Sequence, residues 1–303
     1  MSAGLTSIEH ASDAYAGCSG SLGAVKSDMQ ATSPIEIPGS DKWRVPEFKI
    51  AELVPKAREY CVGIPVINEG EHIRAQLRSM SELDIAQIAD IVIFDGGSTD
   101  GSLDETFLRA NSVRTLLTKL GPGKQGAQVR MGFAYALQQG YQGVVTIDGN
   151  GKDSVESIPE FVRALREGVD FIQGSRYLPG GAAINTPLLR HWAVKLVHIP
   201  VLNAASGFRY TDTTNAFRGY SRRLLLDERV QPFRDVFMTY EMLAYFSVRA
   251  PRLGFKTIEL PVRRSYPETG KTPTKISFLR GNLLLLKILW GAVTGAYNPP
   301  GAE

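Results

Sequence analysis

Cysteine is scarce in this chain: only Cys18 and Cys61 occur among its 303 residues. Two thiols cannot build a disulfide framework or a four-cysteine zinc site, and such sparing use suits a reducing compartment. An excess of one charge is also missing. Lys and Arg number 34 against 31 Asp and Glu, a formal net charge of +3, with the two signs interspersed. That balance tolerates phosphate-bearing ligands or an anionic membrane surface and implies no nucleic-acid partner. No apolar run reaches the roughly 18 uncharged residues of a spanning helix. The nearest, Ile276 to Val293, is interrupted by Arg280 and Lys287. Residues 1–9 lack a basic start followed by an apolar core, so no secretory signal is expected and the protein is expected to be cytoplasmic. No internal repeat of fixed period is present.

What remains is a globular composition, 43% hydrophobic. Residues 1–45 are rich in Ser, Ala and Gly and read as loop. From Glu59 onward, short β-rich runs alternate with helical ones. Tyr60–Ile67, Ile88–Phe94, Val113–Leu117, Val144–Ile147 and Val169–Ile172 are the predicted strands, an alternation that argues for a parallel α/β sheet. Val129, Phe133, Ala136 and Leu137 share one helical face, and Ile158, Phe161, Val162 and Leu165 another. Ser157 and Pro159 start the second helix and Gly168 ends it. Further on come a long helical pattern from Pro187 to Ala205, carrying Leu188, Trp192, Leu196 and Ile199, a short strand at Ala216–Tyr220, and a helix around Met238–Val248. A strand follows at Phe255–Val262, where Pro261 implies an edge or an end. Arg280, Lys287 and Thr294 recur at seven-residue spacing beside Leu283 to Leu286. That suits an amphipathic helix lying on a surface, either its own domain or a membrane.

Ligands of open α/β sheets collect at the carboxyl ends of strands. Three such ends are acidic and glycine-bearing: Pro65-Val66-Ile67-Asn68-Glu69, Asp95-Gly96-Gly97-Ser98-Thr99-Asp100-Gly101, and Asp148-Gly149-Asn150-Gly151-Lys152-Asp153. Each alone reads equally well as a loop of caps and Asx-turns; all three together suggest a site. The third provides hard oxygen ligands, Asp148, Asn150 and Asp153, for Mg²⁺ or Mn²⁺ bridging a diphosphate. It is not an EF-hand, since Lys152 stands at the fifth loop position and Pro159 at the twelfth. A dinucleotide fingerprint, Gly121-Pro122-Gly123-Lys124-Gln125-Gly126, makes an NAD(P)-dependent oxidoreductase the rival reading. Against it, Thr118, Lys119 and Leu120 intervene where a tight turn is expected. A Walker A loop fails, because Thr118 replaces its first Gly and Gln125 follows the Lys.

With these residues in place, the sequence resembles the family-2 glycosyltransferases of GT-A fold, in the branch of dolichyl-phosphate mannose synthases and polyprenyl-phosphate sugar transferases. The likeness runs from about Cys61 to Ser277. Pro65 to Glu69 is similar to the family's P-x-Y-N-E, with Ile67 in place of the Tyr, and Asp95 to Gly101 to its D-D-G-S-T-D-G. Gly123 to Ala127 with Arg130 and Gly132 resembles its G-K-G-x-A…R-x-G. Gly174 to Tyr177 resembles its G-S-R-Y, and Asp212-Thr213-Thr214 with Phe217-Arg218 its D-x-x-x-G-F-R. Asp148-Gly149-Asn150 replaces its D-x-D, so one carboxylate is a neutral amide.

The resemblance implies a GT-A fold, a Rossmann-like, mostly parallel sheet flanked by helices, spanning residues 58–275. An extension at 1–57, partly disordered, precedes it, and an amphipathic helix and tail follow at 276–303. It implies an inverting transfer from a UDP- or GDP-sugar. Pro65, Ile67, Glu69, Asp95 and Gly96 would hold the nucleoside, Lys124, Gly149 and Lys152 would line the donor site, and Asp148 with Asn150 would hold Mg²⁺ or Mn²⁺. Arg176 and Arg264 are candidate phosphate clamps beside Asp148, with a surface role as the plain alternative. The family's E-D base for hydroxyl acceptors is not evident, as Glu241 is followed by Met242. A polyprenyl phosphate, which arrives ionised, is therefore the expected acceptor. Arg263, Arg264, Lys271 and Lys275 would collect its phosphate, with the protein peripheral to the membrane. A hydroxyl acceptor on a glycan, small molecule or nucleic-acid base, and a non-catalytic nucleotide-sugar binder, are the alternatives.

Overall fold

A computed structural model describes residues 35–266 and 278–301. Cys18, Lys271 and Lys275 lie outside the described residues. The strands are β1 (Phe48–Glu52), β2 (Tyr60–Val66), β3 (Asp90–Asp95), β4 (Val113–Lys119), β5 (Gly143–Thr146), β6 (Phe171–Ser175), β7 (Ala182–Ile184), β8 (Arg218–Ser221), β9 (Thr257–Pro261) and β10 (Arg263–Ser265). The helices are α1 (Glu71–Glu82), α2 (Glu105–Ala110), α3 (Gln125–Gln138), α4 (Ile158–Arg166), α5 (Leu188–Ala193), α6 (Ile199–Ser206), α7 (Arg222–Leu226), α8 (Glu241–Arg252) and α9 (Phe278–Val293). A π-helical stretch, Val194–His198, joins α5 to α6.

Eight strands form one sheet in the order β1-β4-β3-β2-β5-β8-β6-β9. It is parallel except for β1, antiparallel to β4, and β8, antiparallel to both its neighbours. Burial on both faces explains why the central strands are nearly continuous apolar runs. Cys61, Val92, Phe94 and Leu117 point into one core layer, with Phe133 of α3 and Phe246 of α8. Val62, Ile64, Ile91 and Ile93 point into the other, with Ile73 and Leu77 of α1 and Phe161 of α4. α4 closes as predicted: Gly168 at φ +81° donates to Leu165 and Val169 donates to Ala164, the double bond of a Schellman end. Pro261 ends the edge strand β9, also as predicted.

Part of the segment read as an extension belongs to the sheet. β1 pairs with β4 from Phe48 opposite Lys119 to Glu52 opposite Thr115. Buried Arg114 reaches Glu52 at 3.2 Å, Trp43 stacks on Phe233 at 3.9 Å, and Ile37 enters the core. The sequence pattern missed β1 because an edge strand exposed along its length, Phe48-Lys49-Ile50-Ala51-Glu52, carries little burial signal. β7 and β10, three residues each, are equally invisible to periodicity.

One packing detail sets the site's floor. The Phe94 ring, at the end of β3, lies between Gly63 of β2 and Gly132 of α3; a Cβ on either glycine would come within 2.2 Å of it. This lets α3 close onto the sheet beneath the strand ends. Gly132→Ala is therefore expected to destabilise the fold by about 1–3 kcal/mol, the usual range for overpacking, read as a lower urea midpoint at unchanged slope. A neutral Gly132→Ala would show that α3 is not seated on the ring.

Candidate active site

Because β2 is flanked by β3 and β5, the chain leaves β2 toward one side of the sheet and returns on the other. This topological switch point brings the three acidic loops together at the carboxyl edge. The first two loops are laced to each other. Asp95 accepts from the backbone N–H and hydroxyl of Ser98 at 2.8 and 2.7 Å, the Ser98 hydroxyl accepts from Asn68 N–H at 3.0 Å, and Asn68 Oδ1 accepts from Thr99 N–H at 2.8 Å. Asn68 holds a φ of +48° to make this reach. Gly96 N–H donates to Val66 at 2.8 Å. Pro65 and Asp148 line a common cleft with Gln125, Gly126, Thr239 and Met242. Ile67, two residues beyond Pro65, is exposed, and Glu69 is close enough for its charge to act on Lys152.

Asp148 is the hub of the third loop. Gln125 Nε2 donates to its Oδ1 at 3.1 Å, while Arg264 Nη2 at 3.2 Å and Asn150 Nδ2 at 3.4 Å donate to its Oδ2. Arg264 is buried and its other Nη donates to Asp153. Burial alone would lower the Arg264 pKa; Asp153 and Asp148 overturn that and raise it. Burial pushes the Asp153 carboxyl above its usual range, against the pull of Arg264, and Asp148 adds to the push. Lys152 is half-buried, its Nζ 5.4 Å from the Tyr266 ring centre, and burial with the nearby Arg264 lowers its pKa. Gly149 N–H donates to Pro65 at 3.3 Å, holding the loop against β2.

Several expectations change here. Asp153 is not available as a metal ligand: it is fully buried, bridged to Arg264 across an isolated β-bridge, and bonded by Asn215 at 3.3 Å. Among the described residues no cluster of three or more His, Cys, Asp and Glu stands ready for a metal. Asp148 nevertheless suits an ion whose remaining ligands are phosphate oxygens and water, the habit of Mg²⁺. The Asn150 amide turns its Nδ2 to Asp148 and its Oδ1 accepts from Lys152 N–H at 3.3 Å, so its oxygen would have to turn to join the ion. Arg264 is not a surface arginine, and β10 carries it to the donor loop rather than leaving it in an open acceptor segment. Arg176 is buried too, but its fork grips Asp212, Nε to Oδ2 at 2.6 Å and Nη2 to Oδ1 at 2.9 Å, and Nη2 also reaches Thr214 at 2.7 Å. Its Nε and Nη2 are therefore directed at the protein. Lys124 and Arg263 are exposed, Lys124 just before α3 and Arg263 on β10.

The spacing objection to the dinucleotide fingerprint does not hold, since β4 runs through Lys119 and only Leu120 intervenes. Packing at the helix start weighs against that reading instead. The start of α3 is covered by backbone: Lys124 N–H donates to Met238 at 2.8 Å, and a Cβ on Gly126 would lie 2.7 Å from the Phe237 carbonyl oxygen. The Lys124 to Gly126 backbone is thus packed against the Phe237–Thr239 segment, and Gln125 and Gly126 also line the cleft beside Asp148.

Other site residues escaped sequence reasoning. Gln125 and Gln128 of α3 brace Asp148 and the ends of β2 and β3; Gln128 Nε2 donates to Val66 at 2.7 Å and Phe94 at 2.9 Å. Gln76 of α1 accepts from Gly151 N–H at 3.0 Å. The only available signal was a polar residue within an otherwise apolar helix face. Glu241, by contrast, has both carboxylate oxygens bonded to Thr239, and Met242 is buried beside it.

A mixed sheet with acidic loops converging on Asp148 at its switch point is the GT-A arrangement of glycosyltransferases. Residues 61–228 match the glycosyl transferase family 2, and the chain belongs to that family. The undecaprenyl-phosphate mannosyltransferase of Micrococcus luteus is 29% identical over 69% of this chain and 84% of its own length. The polyprenol monophosphomannose synthase of Mycolicibacterium smegmatis is 28% identical over 72% and 82%. In fold, the chain is similar to the glucosyl-3-phosphoglycerate synthase of Mycobacterium tuberculosis, solved with Mn²⁺, UDP and phosphoglyceric acid, at a TM-score of 0.54 and 19% identity over 79% and 78% of the two chains.

The Arg176–Asp212 pair yields a direct check. Removing one partner of a buried pair strands the other charge, which typically costs about 3–5 kcal/mol. Asp212→Ala and Arg176→Ala should each lower the melting temperature by a comparable, large amount. Unchanged stability with weakened nucleotide binding in Arg176→Ala would return Arg176 to the role of phosphate clamp.

Proposed function

We propose that this glycosyltransferase moves a sugar from a UDP- or GDP-sugar to a polyprenyl phosphate. The observation that carries the reading is a group of cations beside Asp148 with no acidic pair at Glu241 to serve as a base. Arg264 bonds Asp148, Lys152 lies close enough to feel its charge, Arg263 lies one residue from Arg264 on β10, and the Glu241 carboxylate is tied to Thr239 with no acid following it. A phosphate acceptor is already a nucleophile and needs positive charge to seat it rather than a base to ionise it. The names of the two bacterial relatives support the same acceptor class.

In this reading Pro65, Ile67, Glu69, Asp95 and Gly96 bound the nucleoside pocket, and the donor diphosphate lies against the Asp148-Gly149-Asn150 turn. Asp148 and Asn150 would hold Mg²⁺ or Mn²⁺ jointly with the diphosphate oxygens, and Lys124 approaches from the α3 side. A bound divalent ion supplies neutralisation of the leaving nucleoside diphosphate. Lys152 and Arg264 add fixed positive charge where that leaving group gains its negative charge, in a part-buried setting that strengthens the effect. An acceptor phosphate oxygen, guided by Arg263, attacks the anomeric carbon from the face opposite the diphosphate. One carbon–oxygen bond forms as the other breaks, and the configuration inverts. Arg176 acts as a positioning residue through Asp212. Lys271 and Lys275 belong by sequence to the segment after β10 and remain candidates for the same phosphate. The protein works at a membrane surface in this reading, and no helix among the described residues is long and apolar enough to cross one.

Purified protein should gain thermal stability from UDP or GDP with Mn²⁺, by about 2.7 kcal/mol at a hundredfold excess over Kd, and none from NAD(P). With a polyprenyl phosphate as acceptor, Asp148→Ala should lower kcat by roughly 10²-fold or more while the protein stays folded. Arg263→Ala should raise the KM for the lipid phosphate and leave nucleotide affinity intact. Transfer to a soluble hydroxyl acceptor alone would overturn the acceptor assignment and leave the donor site standing.

A further inference from the structure

The three donors around the Asp148 carboxylate are not equivalent. Oδ2 is engaged twice, by Arg264 Nη2 at 3.2 Å and by Asn150 Nδ2 at 3.4 Å. Oδ1 has a single partner among the described residues, Gln125 Nε2 at 3.1 Å. A carboxylate offers about four acceptor positions over its two oxygens. Oδ1 is therefore the oxygen with room for an ion, and Gln125 stands at it.

Arg264 is not free to withdraw. It is buried, its other Nη is committed to Asp153, and β10 carries its backbone. The backbone that carries Gln125 is equally fixed: Lys124 N–H donates to Met238 at 2.8 Å, Gln128 N–H donates to Lys124 at 3.1 Å, and a Cβ on Gly126 would lie 2.7 Å from the Phe237 carbonyl oxygen. The Gln125 side chain differs from both. It is half-buried, it lines the cleft with Asp148, and Asp148 is the one partner of its amide among the described residues. Opposite a carboxylate the amide must present its N–H, so its oxygen faces away. The amide can turn about its own side-chain bonds while α3 stays still.

A donor diphosphate brings competing acceptors into this cleft. Its oxygens are anionic, as the Asp148 carboxylate is, and can take the same N–H in a charge-assisted bond. We infer that Gln125 is a latch on Asp148: in the empty cleft its amide occupies Oδ1, and when a nucleoside diphosphate enters, the N–H passes to a phosphate oxygen and Oδ1 is released to the divalent ion. Gln125 is thereby a positioning residue that makes ion binding conditional on the nucleotide. The inference rests on the reading of Asp148 as the carboxylate of the donor site.

The latch differs measurably from its two rivals. Without nucleotide, an ion must displace the Gln125 bond; with nucleotide bound, that bond has already moved. The difference is a coupling between ion and nucleotide, and coupling is reciprocal. A static competitor at Oδ1 would weaken the ion equally in both states and add no coupling. A metal ligand would strengthen the ion in both.

Gln125→Met keeps the length of the side chain and removes its donor, and Gln125→Ala removes both. Mn²⁺ binding to the nucleotide-free full chain is read from loss of the EPR signal of the aqueous ion, and UDP or GDP binding by calorimetry with and without Mn²⁺. Without nucleotide, both variants should bind Mn²⁺ about tenfold to a hundredfold more tightly than wild type, the worth of one hydrogen bond to a charged group. The factor by which Mn²⁺ tightens nucleotide binding should shrink by the same amount. An unchanged or lower Mn²⁺ affinity in both variants, or a gain that leaves the coupling intact, overturns the inference. Asp148→Ala separates the two failures. If it binds Mn²⁺ and nucleotide as wild type does, the donor-site reading falls; if it loses Mn²⁺ while the Gln125 variants gain nothing, the latch alone falls.

Discussion

Arg264 is held between two carboxylates, Asp148 on the donor loop and Asp153 at its far end, and the arrangement of the site depends on that link. A guanidinium taken out of water must be paired, and a carboxylate as buried as Asp153 must be too, so neither tolerates the absence of the other. The link spans more than a hundred residues of sequence and pins β10 across the carboxyl edge of the sheet. It is extended by backbone bonds, Ser154 N–H to Arg263 and Ser265 N–H to Lys152 at 3.0 and 2.8 Å. The Asp148 loop and β10 therefore form one body, which suits a glycosyl transfer, where acceptor and anomeric carbon must meet at a defined angle.

Two other buried arginines brace the same edge without meeting the cleft's hub. Arg176 fixes Asp212, whose backbone N–H donates to Glu259 at 2.9 Å, so the Asp212 loop is tied both to the end of β6 and to edge strand β9. Arg218 of β8 gives its donors to the carbonyls of Asn215, Thr213 and Leu243. The motifs resembling the family thus divide by physics. Those around Asp95 and Asp148 present polar atoms at the sheet edge, whereas those around Arg176, Asp212 and Arg218 pair internally and act as struts. Arg130, in the motif at the start of α3, is a strut as well, reaching the Arg44 carbonyl and the Met238 sulfur.

The edge around Asp148 has two walls. One side is formed by the loops after β2 and β3, whose tight lacing preorganises them. The β7–β10 pair forms the opposite wall, and from it the chain leads directly into α5, where Leu188 and Trp192 are exposed.

How much of this was legible in the sequence follows from where the information lies. Alternating runs defined the central strands and α3 and α4, because burial on one or two faces imposes a period on the residues themselves. The three acidic loops could be placed at strand ends for the same reason, and ordered motifs along the chain identified the family. β1, β7 and β10 could not be read, since an exposed edge or a three-residue pair imposes no period. Nor could the fate of the arginines. Arg176, Arg263 and Arg264 look alike as letters, and which is a strut, which is exposed and which crosses to Asp148 depends on partners as far as 116 residues away. Composition and periodicity are local properties, so the sequence by itself determined the sheet, its acidic edge and the family. The pairing of charges is settled only when distant segments share a low-dielectric space, so the tertiary structure alone decided that Asp153 belongs to Arg264 and that Leu188, Trp192 and Leu196 face outward.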